Sequence, residues 1–299
     1  MLSFLPHWFT GTISSILFAL NTFFWCLVLY VFAFFKVISP TKKMKAWWTA
    51  LMIRMGENWI SFNNFQLALV APTKFEITGF NDFHKDRSYL ICSNHQSWVD
   101  IVMLQKLFNR RVPFLRFFLK QELLYVPLLG IAWWALDFPF MKRYSKAELE
   151  KHPEKRGKDL ETTRQATERF KGSRISILNF LEGTRFRVAK HAAQKSPFKN
   201  LLRPKAGGVA FVIEAMGKQF DSILDVTIVY PDGPVSLWGL LSGRLRKVKI
   251  HVERMIIPPD ILEGHYLDDP VFRERVQNWI QEIWEAKDQR ISQMKVSKT

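Results

Sequence analysis

Two polar clusters carry the residue types that acid–base and anion chemistry require, and each closes an apolar run. The first is Asn94-His95-Gln96-Ser97-Trp98-Val99-Asp100, directly after an apolar strand ending near Ser93. A histidine in such a loop can meet an acid placed near the start of the following helix. The carboxylate then fixes the imidazole tautomer and stabilises its charged form, leaving the other ring nitrogen free to take a proton. A neutral hydroxyl becomes a nucleophile in this way, and the protein needs no Ser or Cys nucleophile of its own. Taken alone, a His followed by an Asp capping a helix is more often structural than catalytic.

The second cluster is Asn179-Phe180-Leu181-Glu182-Gly183-Thr184-Arg185. Gly183 permits a tight turn or a close backbone approach. Thr184 offers a hydroxyl, and Arg185 can grip a phosphate with two parallel hydrogen bonds. Taken alone, this is equally a polar turn with a solvated arginine. Its surroundings favour an anion. From Gly183 through Ile213 there is no acidic residue, whereas Arg185, Arg187, Lys190, Lys195, Lys199, Arg203 and Lys205 are all basic. Setting Asp100 aside, Val99 to Gln121 is equally one-signed, with Lys106, Arg110, Arg111, Arg116 and Lys120. Basic stretches around two polar loops at strand ends imply an anion site, in the place where α/β sheets bind ligands.

The totals point the same way. With 43 Lys+Arg against 27 Asp+Glu the chain carries +16, which favours nucleic acid, an anionic membrane face or phosphorylated substrates. The 26 Phe and 11 Trp lean to the membrane over a soluble nucleic-acid binder. Cys26 and Cys92 form neither a disulfide framework nor a metal site, and they suit a reducing cytosolic context. There is no Gly-x-Ser-x-Gly elbow, which weighs against a hydrolase.

Three segments must position these clusters. Residues 1–40 read as a transmembrane anchor, because Trp8 to Phe35 holds no charge and exceeds the ~20 residues that span a bilayer as a helix. A cleaved signal peptide fits less well, as there is no basic leading region and the apolar run is too long. Lys36, Lys42, Lys43, Lys45 and Arg54 follow the run, so the flanks predict an N-terminus outside and a domain facing the cytosol. Residues 41–69 form a helical stripe of Met44, Trp47, Trp48, Leu51, Met52, Met55 and Trp59, suited to the membrane interface or to packing on the domain.

Residues 70–299 alternate strands with helices, predicting an α/β fold whose mixed sheet is covered by helices. Strands are expected at Lys74–Phe80, Ser88–Ser93, Arg111–Lys120, Ile175–Leu181, Ile223–Tyr230 and Lys247–Arg254. Helices are expected at Trp98–Leu107, Gly157–Phe170, Gly207–Met216 and a C-terminal stripe of Phe272, Val276, Trp279, Ile280, Ile283 and Trp284. Leu123–Leu136 is apolar with Pro127 and Gly130 interrupting it and resists assignment. Tyr144–Arg156 reads as a charged linker.

Asn94-His95 with Asp100, followed by Phe180-Leu181-Glu182-Gly183-Thr184-Arg185, resembles the glycerolipid acyltransferase family. The two motifs together, in this order, are specific where either alone is not. The resemblance spans about residues 70–235 and takes in Phe118-Leu119-Lys120-Gln121-Glu122-Leu123, Phe140-Met141-Lys142-Arg143 and a strand ending in Pro231. The whole chain looks most like an inner-membrane branch found in Gram-negative bacteria.

The resemblance implies transfer of a fatty acyl group to a lysophospholipid hydroxyl, with 1-acylglycerol-3-phosphate as acceptor and phosphatidic acid as product. The donor would be acyl-ACP or acyl-CoA, both acidic, with acyl carrier protein a candidate partner and no cofactor or metal. It implies His95 as general base, Asp100 as its orienting acid, and Glu182, Gly183, Thr184 and Arg185 as acceptor-binding groups assisted by Lys120 and Arg143. Backbone N–H groups at the helix start after His95 are the expected oxyanion donors. Many members have Pro where this chain has Leu181. Two alternatives are another lysolipid acceptor and a non-catalytic module that binds anionic lipid.

Overall fold

The computed structural model describes residues 5–70, 72–141, 161, 164, 165, 167, 170 and 172–296. A six-stranded sheet runs in the order β1-β8-β7-β2-β6-β3. Its strands are β1 (Lys74–Gly79), β2 (Tyr89–Ser93), β3 (Leu115–Phe117), β6 (Ser176–Phe180), β7 (Ser222–Val229) and β8 (Lys247–Met255). The strands β7, β2, β6 and β3 are mutually parallel, while β8 pairs antiparallel with β7 and parallel with β1. The sheet is therefore mixed.

Alternation along β2 shows how both faces are buried. Leu90 and Cys92 point into a core built on α6 (Ala206–Met216) and α9 (Pro270–Val296), with Val209, Ile213, Val276, Ile280 and Trp284. Tyr89 and Ile91 point into the opposite core, with Val99, Met103, Leu104 and Leu107 of α3 (Val99–Phe108). On that side Leu240 and Leu241 of α7 (Leu237–Leu241) join them. Five of the six residues of the C-terminal stripe are buried, and Trp279 packs partly buried against the same core. Lys287 of α9 is fully buried too. Its ammonium lies 2.7 Å from Asp225 of β7 and donates to Val226 O at 2.6 Å, so the charge enters the interior paired.

The uncertain middle of the chain breaks into short pieces. The expected strand over 111–120 splits at Phe118: β3 joins the main sheet, and β4 (Leu119–Lys120) pairs with β5 (Phe140–Met141). The apolar run that follows becomes a 3-10 turn at Gln121–Tyr125 and the helix α4 (Leu129–Ala135). Gly130 belongs there for a steric reason, since a Cβ on it would lie 1.9 Å from Leu124 O. The charged linker lies outside the described residues, and so does most of the helix expected at 157–170.

Two long helices precede the sheet. The helix α1 (His7–Ile38) is long and apolar enough to cross a membrane, and it packs along α2 (Lys42–Val70). Polar contacts are kept inside this pair. Asn21 donates to Asn63 Oδ1 at 2.8 Å and to Trp59 O at 3.1 Å, and Gln66 donates to Ser14 O at 2.6 Å. Phe34, Trp47 and Phe65 face outward. The predicted stripe on α2 divides: Met44 and Trp47 are exposed, Met52 and Met55 are buried, and Trp48 and Trp59 bond back to Ser39 and Thr22.

Both ends of α1 are held by the globular domain. His7 Nδ1 lies 2.7 Å from Ser242 O, and Gly11 packs so tightly on α7 that a Cβ would sit 2.9 Å from the Trp238 ring. At the far end Lys36 donates to the Asp137 carboxylate at 2.8 Å and to Ala135 O at 2.9 Å. Ser242 and Asp137 thus tie both ends of α1 to the same folded unit.

Candidate active site

The two motifs leave the sheet side by side. In the parallel pairing of β2 with β6, Ser93 stands opposite Phe180, so the loops that begin at Asn94 and Leu181 emerge from neighbouring strand ends. The strand β7 flanks β2 on its other side and delivers Tyr230 to the same edge. Asn94 locks the edge together: its side chain donates to Ile228 O at 2.9 Å and accepts from Ile228 N at 2.8 Å. A residue that looked like part of a loop motif thus serves as a bridge to β7.

His95 Nδ1 lies 2.8 Å from Asp100 Oδ2. Asp100 is wholly buried near the start of α3, and its charge is met by several donors. Oδ2 accepts the N–H groups of Gln96 at 2.5 Å and Ser97 at 2.8 Å, and Oδ1 accepts the Tyr230 hydroxyl at 2.6 Å. So held, the carboxylate can accept Nδ1–H and leave Nε2 as the free ring nitrogen. Burial and the Asp100 charge push the Tyr230 phenol well above its ordinary value, so Tyr230 stays a donor. The imidazole is stacked on Phe180, with ring centroids 3.9 Å apart and planes 16° apart, and its side chain is 13% exposed. The ring is fixed on one face and at one nitrogen.

The backbone before and at the start of α3 is organised around this acid: the N–H groups of Gln96 and Ser97 point at Asp100, that of Val99 at Ser97 Oγ, and that of Asp100 at Ser97 O.

Glu182 is fully buried, and its Oε1 accepts the His95 backbone N–H at 3.0 Å. So placed, the carboxyl group braces the His95 loop against the second motif. Burial pushes Glu182 up to about 8, with the His95 and Leu202 N–H groups opposing and the Asp100 charge adding to the rise. The bracing is reciprocal, since Phe186 N–H donates to His95 O at 2.7 Å.

Gly183, Thr184 and Arg185 do lie at the open edge. Gly183 has φ +64, the left-handed conformation the tight turn requires. Arg185 lies over the exposed indole of Trp98 at 4.8 Å, which joins the two motifs again. Lys120 is exposed on β4, opposite Met141, and among the described residues no hydrogen bond or ion pair joins it to His95 or to the turn. Arg143 lies outside the described residues. Among the described residues no group of three His, Cys, Asp or Glu converges to hold a metal.

Sequence reasoning missed Tyr230, Phe180 and Trp98 as members of this site. Tyr230 had read as the end of a buried strand, and only the β2–β7 pairing carries it to Asp100. Aromatic residues inside the motifs themselves were the one signal that pointed to Phe180 and Trp98.

A mixed α/β sheet presenting a His–Asp pair beside a basic turn defines a class of transferase domain. Residues 74–232, over half of the chain, match the family model described as Acyltransferase, and the chain belongs to the glycerolipid acyltransferase family. It is 28% identical to lysocardiolipin acyltransferase 1 of Gallus gallus over 85% of this chain and 65% of that protein. It is 28% identical to 1-acyl-sn-glycerol-3-phosphate acyltransferase gamma of Homo sapiens over 56% of this chain and 43% of that one. The chain thus spans less than two thirds of these relatives' length. The crystal structure of the 1-acyl-sn-glycerophosphate (LPA) acyltransferase PlsC from Thermotoga maritima shares the fold, with TM-score 0.50 and 17% identity over 91% of this chain and 97% of that one.

Proposed function

We propose that this chain transfers a fatty acyl group from a thioester to the free hydroxyl of a lysophospholipid, with 1-acylglycerol-3-phosphate as acceptor and phosphatidic acid as product. The observation that carries this reading is the His95–Asp100 pair at 2.8 Å, its acid saturated by Tyr230 and two backbone N–H groups, beside the Gly183–Arg185 turn. His95 Nε2 takes the hydroxyl proton as the oxygen attacks the thioester carbonyl. Asp100 stabilises the imidazolium that forms, and the proton then passes to the departing thiolate. Arg185 holds the acceptor phosphate, so that its hydroxyl is presented to His95. Acyl-ACP and acyl-CoA are both acidic, and either suits the basic stretches around the turn. No resident cofactor is required by this chemistry.

The apolar α1/α2 pair supports a reaction at a bilayer, which is where a lysophospholipid resides. We infer an inner-membrane location with the basic domain facing the cytoplasm. Since one domain holds both ends of α1, the His7 end is expected on the domain's side. Labelling a cysteine introduced at Ser3 with an impermeant reagent from each side of sealed vesicles checks this, and labelling only from the side opposite the domain would restore the single-pass topology.

The deciding assay offers labelled acyl thioester and 1-acylglycerol-3-phosphate to the detergent-solubilised protein, beside His95→Ala. Phosphatidic acid from wild type alone is the expected result. Product only with a different lysolipid would move the acceptor assignment, as the names of the lysocardiolipin and lysophosphatidylinositol acyltransferases among the relatives allow. No product with any acceptor would favour a lipid-binding module.

A further inference from the structure

The turn after β6 carries more cations than its own motif supplies. Gly183 has no side chain, and the end of Lys205 fills the space above it: a Cβ on Gly183 would lie 3.0 Å from Lys205 Cδ and 3.4 Å from Nζ. The root of that side chain is pinned, because Lys205 N–H donates to Leu181 O at 2.7 Å. From the helix α5 (Val188–Ala193), Lys190 Nζ donates to Thr184 Oγ1 at 2.5 Å. Arg185 completes the group, parked over Trp98. Among the described residues none of the three forms an ion pair with a carboxylate. The nearest acid in sequence, Glu182, is buried beneath the turn, and its raised proton affinity keeps it from cancelling their charge at neutral pH.

Three cations gathered on one three-residue turn repel one another unless an anion sits among them. We propose that Arg185, Lys190 and Lys205 form one cradle for a phosphomonoester headgroup, with Lys190 and Lys205 as the residues that select it. The inference rests on the acyl-transfer reading and deepens it. A phosphomonoester carries about −1.5 to −2 charge near neutral pH and three free oxygens, one for each cation. A phosphodiester headgroup offers a single charge and two free oxygens, so one cation would remain unmatched. Arg185 grips either kind of phosphate, whereas the two lysines respond to the additional charge.

The test measures kcat and KM of the full-length, detergent-solubilised protein with 1-acylglycerol-3-phosphate and with lysophosphatidylglycerol, a diester. Lys190→Gln, Lys205→Gln and the double variant are compared with wild type. Lys218→Gln, an exposed charge beyond the C-terminal end of α6 and outside both basic stretches, serves as the charge control. Each cradle variant is expected to raise KM for the monoester about tenfold with kcat within twofold, a loss of about 1.4 kcal/mol of binding. The diester KM should change little, and Lys218→Gln should match wild type. An unchanged monoester KM, or equal changes for both acceptors, would overturn the cradle.

A second arm does not depend on turnover: binding of 1-acylglycerol-3-phosphate to the His95→Ala protein, read by tryptophan fluorescence, with and without Lys205→Gln. If wild type transfers no acyl group to any acceptor, the acyl-transfer reading fails and this arm decides the cradle by itself. Binding weakened about tenfold by Lys205→Gln sustains it, and equal binding removes it.

Discussion

The strand-end site and the α1/α2 pair bury polar groups for opposite purposes. At the site, Asp100, Asn94 and Glu182 are taken out of water and fixed by named backbone and side-chain partners, so the groups left facing solvent are the reactive ones. In the helix pair, Asn21, Asn63 and Gln66 join one helix to the other, and what faces outward is Phe34, Trp47 and Phe65. The first region rigidifies the His95 imidazole. The second makes two helices into one apolar body fastened to the domain at His7 and Lys36. The two polar networks are thus separate, sharing no residue.

The separation can be broken most sharply at His95. His95→Ala is expected to lower turnover by about 10²–10⁴-fold while the melting temperature holds, since the ring lies at the open edge; turnover within tenfold of wild type would sink the assignment. Arg185→Ala is expected to weaken the acceptor, costing about 1.5–3 kcal/mol and raising KM about 10–150-fold, with kcat retained. Unchanged KM and kcat/KM would remove Arg185 from the acceptor site.

Gly11→Leu sharpens the comparison from the other side. Its side chain collides with Trp238, an overpacking of about 1–3 kcal/mol, and should loosen α1 from the domain. Activity in detergent should stay within about threefold of wild type, while activity on acceptor in vesicles falls about tenfold. Equal losses in both assays would show that the two networks are coupled.

A pH dependence of stability tests the buried brace itself. The native state retains on Glu182, up to about pH 8, a proton that the unfolded chain releases near 4.5. The contribution of this group to stability is therefore fully present below about 4.5 and is lost as pH rises through about 8. Glu182→Gln, isosteric with the protonated form, should flatten that part of the stability profile relative to wild type. Parallel profiles for the two proteins would show that the carboxyl is not held protonated.

Much of the scaffold was legible because its signals are local. Apolar runs bounded by polar breaks located β2, β6, β7 and β8 to within a residue or two, and the stripe ending in Ile283 and Trp284 located α9. The middle was not legible: Leu128 has φ +65, and Phe118 divides two strands that belong to different sheets. Neither property has a compositional signature. The motif residues were visible by type, yet their duties were only partly so. Glu182 reads as a ligand beside Gly183 and Arg185, but it is a buried brace.

What the sequence determined by itself is therefore the inventory: a His and an Asp at one strand end, a basic turn at another, an apolar helix, and periodicities that demand a covered sheet. Each depends on neighbours a few residues apart. The tertiary structure decided which strand ends are adjacent, that Tyr230 and not solvent meets Asp100, and that Lys205 covers Gly183. Those contacts join residues far apart along the chain. Their geometry is set by sheet order and side-chain packing, which no local pattern encodes.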